Sequence, residues 1–191
     1  AGGTSTGKTT LANALLDEIA DTGDRVLILE DTVELQCRSD DHVGMRSEPG
    51  VTTMADLVRA TLRLRPDRIV VGEVRGAEAL DLLKAWGTGH PGGIATVHAG
   101  SARGALTRLE QLVQEVSVTV PRALIEEAVN VIVFIAGRGR ARRVREIVRV
   151  IGHDRDGNQL DGSLGPPFPP IQQVAASHSP FSTSSTKGES S

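Results

Sequence analysis

The sequence predicts an α/β domain with a largely parallel sheet flanked by helices, and three observations predict it. Short runs of Val, Ile and Leu alternate with amphipathic stretches along residues 1–151, the order that yields strands joined by helical crossovers. Aromatic residues make up 2% of the 191 residues, so the interior is aliphatic, as buried parallel strands require. A glycine-rich turn, Gly2–Gly7, runs straight into the first helical stretch.

The elements follow in order. Residues 8–21 carry Leu11, Ala14, Leu15 and Ile19 at helical spacing, and Arg25–Leu29 is a short apolar run read as a buried strand. A helix over 53–64 places Met54, Leu57, Val58 and Leu62 on one face. Arg65-Pro66-Asp67 then leads into a second buried strand, Ile69–Val71. Residues 77–86 read as helix, stopped by Gly87-Thr88-Gly89, and Ile94–Val97 is a third strand. The stripe Leu106, Leu109, Leu112, Val113 and Val116 marks a helix over 102–116, and Pro121 starts another. Val131–Ile135 and Val144–Ile151 read as a hairpin around Gly137-Arg138-Gly139. From residue 152 the chain turns rich in Gly, Pro and Ser, so 152–191 is expected to be a disordered tail behind a domain at 1–151.

Composition narrows the function. With 39% apolar and 24% charged residues the chain is an ordinary globular protein, and its net charge of −3 gives no overall pull toward nucleic acid or anionic membrane. No stretch has the length of a membrane span, and no secretory signal is present. The lone Cys37 cannot form an internal disulfide, which fits a reducing compartment. The chain opens on Ala1-Gly2-Gly3 rather than Met, with no strand ahead of the glycine turn. It therefore reads as a fragment lacking the strand that normally feeds such a loop.

Gly2-Gly3-Thr4-Ser5-Thr6-Gly7-Lys8-Thr9 matches G-x-x-x-x-G-K-[ST] in full. Glycines let consecutive backbone N–H groups converge on phosphate oxygens, and the helix N-terminus adds positive potential. Lys8 is placed to neutralise the β- and γ-phosphates, and the Thr9 hydroxyl to ligate Mg²⁺. Thr10 continues the loop into the helix. A chance Gly/Thr turn is the alternative, and a helix beginning at the right residue argues against it.

Two acidic sites follow buried strands: Glu30-Asp31-Thr32-Val33-Glu34 after Val26–Leu29, and Glu73 after Ile69–Gly72. Ligands bind at the carboxyl ends of parallel strands, so both are expected to face the phosphates. Either acid alone reads as a loop or N-cap carboxylate, but behind a full phosphate loop the pair reads as functional. Gly72 stands where ATPases commonly carry Asp, leaving open which acid holds the metal. His90 and His98 flank the third strand. Nothing at Cys/His ligand spacing suggests a metal cluster, and His98 is a candidate γ-phosphate contact.

Together these segments resemble the type II/type IV secretion traffic ATPase superfamily. Gly2–Thr9, Ile28–Leu35, Arg65–Arg75 and Gly87–Ala99 occur in the order of its Walker A, Asp, Walker B and His boxes. Leu62–Arg68 and Leu83–Gly93 look closest to the conjugal-transfer (TrbB) branch. The resemblance covers roughly residues 1–151 and implies a P-loop NTPase (RecA-like) core that hydrolyses ATP with Mg²⁺. By position it implies that Gly2, Gly3, Thr4, Ser5, Thr6, Gly7, Lys8, Thr9 and Thr10 hold phosphate. Glu30 or Glu34, with Glu30 favoured, would orient the attacking water. Thr9 and Glu73 would hold Mg²⁺, His98 and His90 would sense the γ-phosphate, and Arg75 would pair with a nearby acid.

The family implies a homo-hexameric ring at the cytoplasmic face of the inner membrane, working with secretion-channel proteins. It also implies a separate N-terminal domain that clamps the nucleotide and supplies arginines. Arg138, Arg140, Arg142, Arg143, Arg145 and Arg149 crowd the last hairpin. Their alternation with Val144, Val148 and Val150 reads as a solvated strand face, with a subunit contact as the next reading. Stable nucleic-acid binding is not expected, since no aromatics interleave to stack bases. A P-loop kinase or GTPase is the competing enzyme class. No Asn-Lys-x-Asp segment supports a GTPase, and a nucleotide-binding assembly module without turnover is the alternative outside enzymes.

Overall fold

In the computed structural model, residues 1–154 and 157–161 are described, and they realise the alternation read from the sequence. The order is α1 (Lys8–Glu18), β1 (Val26–Glu30), β2 (His42–Arg46), α2 (Met54–Thr61), β3 (Arg68–Val71) and α3 (Glu78–Gly87). β4 (Ile94–Ala95), α4 (Ala102–Gln114), α5 (Arg122–Ala128), β5 (Val131–Ala136), β6 (Arg143–Asp154) and β7 (Gly157–Asp161) follow. Four strands form a parallel sheet in the order β2-β1-β3-β4, and β5-β6-β7 form an antiparallel one.

Burial explains the aliphatic runs. All five residues of β1 are buried. Alternation assigns them to two cores: Val26, Ile28 and Val70 meet Ala12 and Leu16 of α1, while Leu29, Ile69 and Val71 meet α2 and α3 on the other face. A parallel sheet covered on both faces needs apolar residues at every strand position. Side chains cap the starts of α2 and α4. Thr53 and Asp56 form a reciprocal capping box on α2, and the Ser101 hydroxyl accepts from Gly104 N–H on α4. α1 differs: its N-cap is Gly7, in the left-handed region at φ 96°, and no side chain caps it.

Several boundaries differ from the sequence reading. α1 stops at Glu18, α2 at Thr61 and α4 at Gln114, and Leu62 and Val116 at the ends of the expected stripes are exposed. β2 went unread because His42-Val43-Gly44-Met45-Arg46 is polar and half-exposed; it is the outer strand of the parallel sheet. The expected start of a disordered tail at 152 is corrected. β6 runs on to Asp154, and β7 pairs with it through Arg149↔Asp161 and Val150↔Leu160. Leu160 packs on the main core, so even this polar segment has an apolar anchor. The remainder of that expected tail, 162–191, lies outside the described residues.

The phosphate loop enters between the two sheets. Gly2 N–H donates to Val97 O at 3.3 Å, just past β4, and Ile135 N–H of β5 donates to Ala1 O at 2.9 Å. Behind these contacts β4 and β5 flank an apolar groove of about 430 Å³, lined among others by Leu11, Leu15, Trp86, Ile94, Val131 and Val133. At its floor the Trp86 indole N–H donates to Ile69 O at 3.1 Å. A Cβ on Gly93 would sit 2.0 Å from that nitrogen, so only glycine can precede β4 here.

Candidate nucleotide site

β1, β3 and β4 are parallel, so the residues after each strand collect at one edge, where the phosphate loop also lies. Its shape comes from two residues at positive φ, Ser5 (59°) and Gly7 (96°), and from the Thr6 hydroxyl, which donates to Gly3 O at 2.9 Å. Gly2 is required by space: a Cβ there would lie 2.5 Å from Thr6 Oγ1 and 2.6 Å from Ile135 O. The uncapped start of α1 leaves its first N–H groups pointing out of the loop, the arrangement that receives an anion.

A polar cleft of about 360 Å³ opens above the loop, and Thr4, Ser5, Lys8, Thr9, Glu30, Glu34, Glu73, Arg75 and His98 all line it. Lys8 Nζ donates to Gly3 O at 3.0 Å. Burial pushes its pKa below the ordinary lysine value, partly opposed by the Glu73 carboxylate. His98 Nε2 lies 2.7 Å from Glu73 Oε1 and 3.3 Å from Lys8 Nζ. One nitrogen cannot donate to the carboxylate and accept from the ammonium at once. Glu73 Oε1 has no hydrogen-bond partner despite the short approach, so Nε2 accepts from the Lys8 ammonium and its approach to Glu73 is a contact rather than a hydrogen bond. Glu73 Oε2 accepts from Arg75 Nε at 2.8 Å and also from its Nη2. That bond holds the guanidinium's pKa above its usual value. Arg75 reaches on to Asp31, at 3.5 Å.

The two acids after β1 differ in environment. Glu30 is 6% exposed, and its Oε1 accepts from the backbone N–H of Glu34 at 2.9 Å and of Leu35 at 2.8 Å. It thereby shapes the turn that carries Glu34. Glu34 is exposed, and its Oε2 accepts from the Thr9 hydroxyl at 3.0 Å. Gly72 makes room for this: a Cβ there would stand 3.2 Å from Glu30 Cγ. The hollow left by the expected Asp is filled by Glu30 reaching across from β1.

Two expected residues lie elsewhere. His90 precedes β4, at the opposite end of the strand from His98, and its Nδ1 meets Pro66 O at 2.8 Å. Histidines at the two ends of one strand cannot share a phosphate, so His90 does not belong to the cleft. Thr10 is exposed on the first turn of α1, outside the cleft lining. Two residues that the sequence reading missed hold the site together. Asn13 ties α1 to the acid turn, donating to Glu34 O at 3.3 Å and accepting from Gln36 N–H at 3.0 Å; its spacing of four from Thr9 on the helix was the available signal. Thr96 locks β4 to β3 by donating to Gly72 O at 2.6 Å, which fixes the strand end that carries His98.

The donor set suits Mg²⁺. The Thr9 hydroxyl and the Glu34 and Glu73 carboxylates are hard oxygens around one cleft. Among the described residues no group of three or more His, Cys, Asp or Glu side chains is placed to hold a metal ion.

The chain is similar to known proteins over most of its length. It is 51% identical to the conjugal transfer protein TrbB of Rhizobium radiobacter over 162 residues, which is 84% of this chain and 50% of that one. Among solved structures it matches the VirB11 ATPase of the Brucella suis type IV secretion system, determined with sulphate, at TM-score 0.71 and 34% identity. That match covers 78% of this chain and 46% of the other. The pilus retraction motor PilT with bound ADP matches at TM-score 0.57 and 25% identity, over 83% and 43%. The chain spans about half the length of the curated relatives it matches. Residues 1–140 match the family described as type II/IV secretion system protein, and the chain belongs to that family.

Proposed function

We propose that this chain carries the ATP-hydrolysing core of a motor subunit that powers type IV secretion or conjugative transfer. One observation carries the reading. A phosphate loop with its lysine stands between a Thr9–Glu34 pair on one side and a Glu73–His98 pair on the other, 3.0 and 2.7 Å long respectively. Lys8 and the free N–H groups of α1 bind the β- and γ-phosphates. Thr9 and Glu73 are the residues to hold Mg²⁺, which when bound neutralises charge that builds on the phosphates. Glu34, exposed above Thr9, is the acid positioned to orient and deprotonate the attacking water. Glu30 is committed to two backbone N–H groups and acts by placing Glu34, so the water-orienting role favoured for Glu30 moves to its neighbour. His98, against both Lys8 and Glu73, exchanges these partners for the terminal phosphate and registers its loss.

Among the described residues no helix is long and apolar enough to cross a membrane. We place the protein at the cytoplasmic face of the inner membrane, as a homo-hexamer docked on channel proteins, by analogy with the relatives named for type IV secretion and conjugal transfer. The test is steady-state phosphate release by the full-length protein. Lys8→Ala abolishes MgATP binding and turnover, whereas Glu34→Gln keeps binding and loses turnover by roughly 10²–10⁴. Binding without measurable turnover in the unaltered protein would instead identify an assembly module.

A further inference from the structure

The loop that follows β5 brings a cation to the far side of the phosphate loop. The six arginines of the last hairpin do not share one environment. Arg138, Arg140, Arg143, Arg145 and Arg149 are exposed, and Arg142 alone is drawn in. The turn that places it is tight: Gly137 sits at φ 88°, where a Cβ would meet Ala141 O at 2.1 Å, and Arg142 N–H closes on Gly139 O at 3.3 Å. Arg142 is thereby folded back over the loop, with its Cδ 3.6 Å from the point where a Cβ on Gly7 would be. Its Nε is buried and has no hydrogen-bond partner among the described residues. A buried guanidinium N–H without an acceptor carries a desolvation penalty that a suitably placed anion removes.

Position says which anion. Glu34, Glu73 and His98 line the cleft on the β1-β3-β4 side of the loop, and Arg142, outside that lining, comes from the β5–β6 connection to the Gly7 side of the loop, with Ala1 and Gly2 between the two sheets. With the terminal group at Lys8 and His98, as the proposed function has it, Arg142 beside Gly7 is the cation on the far side of the loop from that group. We infer that Arg142 binds the nucleoside-proximal end of the nucleotide, at the α-phosphate, and is a ground-state binding residue shared by ATP and ADP. This deepens the hydrolase reading and rests on it. Arg is the suitable side chain, because its planar fork reaches phosphate oxygens while its aliphatic stem packs on the glycine.

The experiment measures binding of fluorescent MgADP and MgATP analogues to the full-length protein and to Arg142→Met, which keeps the stem and removes the cation. Both dissociation constants should rise by the same factor, roughly ten- to a hundred-fold for one charge-assisted bond. Arg142→Lys should recover part of the loss, and the thermal midpoint without nucleotide should stay within about 2 °C of the unaltered protein. Unaltered affinity in Arg142→Met, while Lys8→Ala fails to bind, overturns this assignment and leaves the hydrolase reading intact. A loss confined to the ATP analogue also overturns it, since that places Arg142 at the γ-phosphate. If Lys8→Ala binds normally, the phosphate-loop reading fails, and this assignment fails with it.

Discussion

Replacing each acid after β1 in turn separates positioning from chemistry. Glu30 is 6% exposed and accepts two backbone N–H groups through one oxygen. In Glu30→Ala both donors lose their acceptor in a buried setting, at about 1–3 kcal/mol each, so the fold should lose about 2–6 kcal/mol. That is a large share of a domain stability of about 5–15 kcal/mol. Glu30→Gln keeps an oxygen acceptor and forfeits only the charge assistance, so it should fall at the lower end, about 1–3 kcal/mol. Glu34 is exposed and its carboxylate accepts an exposed hydrogen bond from the Thr9 hydroxyl, so Glu34→Gln should cost less than about 0.5 kcal/mol. Turnover should order the other way: Glu34→Gln loses roughly 10²–10⁴ in kcat, and Glu30→Gln loses less than tenfold at a temperature where it is folded. Urea unfolding and phosphate release on the same preparations give both orders. If Glu30→Gln is as stable as the unaltered protein but silent in hydrolysis, while Glu34→Gln turns over normally, the roles are reversed and the geometric argument is wrong.

Three other outcomes follow from the site. Lys8 holds its proton less firmly in the fold than in the unfolded chain. Unfolding therefore takes up protons between its lowered value and 10.5, and stability rises with pH across that window. Lys8→Met should thus stabilise the nucleotide-free protein below the window and lose that advantage above it; a midpoint difference that does not vary with pH refutes this. His98→Ala should cut turnover at least tenfold, whereas His90→Ala, altered at the opposite end of β4, should leave kcat within about threefold; equal losses in the two variants would sink the assignment. Gly72→Asp brings a second carboxylate beside buried Glu30, a repulsion of about 4 kcal/mol at 4 Å and an effective dielectric of 20. The thermal midpoint should fall and should recover in part when Glu30→Ala is added; an unchanged midpoint removes the explanation given for Gly72.

The layout of the site was legible because it depends on chain direction. In parallel strands, whatever follows a buried run lies at one edge and whatever precedes it lies at the other. Glu30, Glu34, Glu73 and His98 were located on that logic, Lys8 came from the phosphate-loop pattern, and the same logic applied strictly would have excluded His90. The division of labour between Glu30 and Glu34 was not legible. It depends on which carboxylate the turn's own N–H groups consume, and that emerges only once the turn has closed. Gly72 read as a departure from a pattern because the compensating side chain comes from a different strand. Among secondary elements the failures have a common cause: β2 and β7 are polar segments at sheet edges, held by backbone pairing that leaves little mark on side-chain pattern. Arg142 is distinguished from five neighbouring arginines only by the tight turn before it.

Trp86 has a practical consequence. It is the chain's single tryptophan, and there is no tyrosine, so emission excited near 295 nm comes from one indole. That indole bonds to a β3 carbonyl and lines the groove between β4 and β5, outside the lining of the polar cleft. A shift in its colour or lifetime when MgATP is added reports a change in the surroundings of β3 and β4. In this chain the indole is an optical gauge, readable without a label, of how an event at the phosphate loop is felt in the sheet.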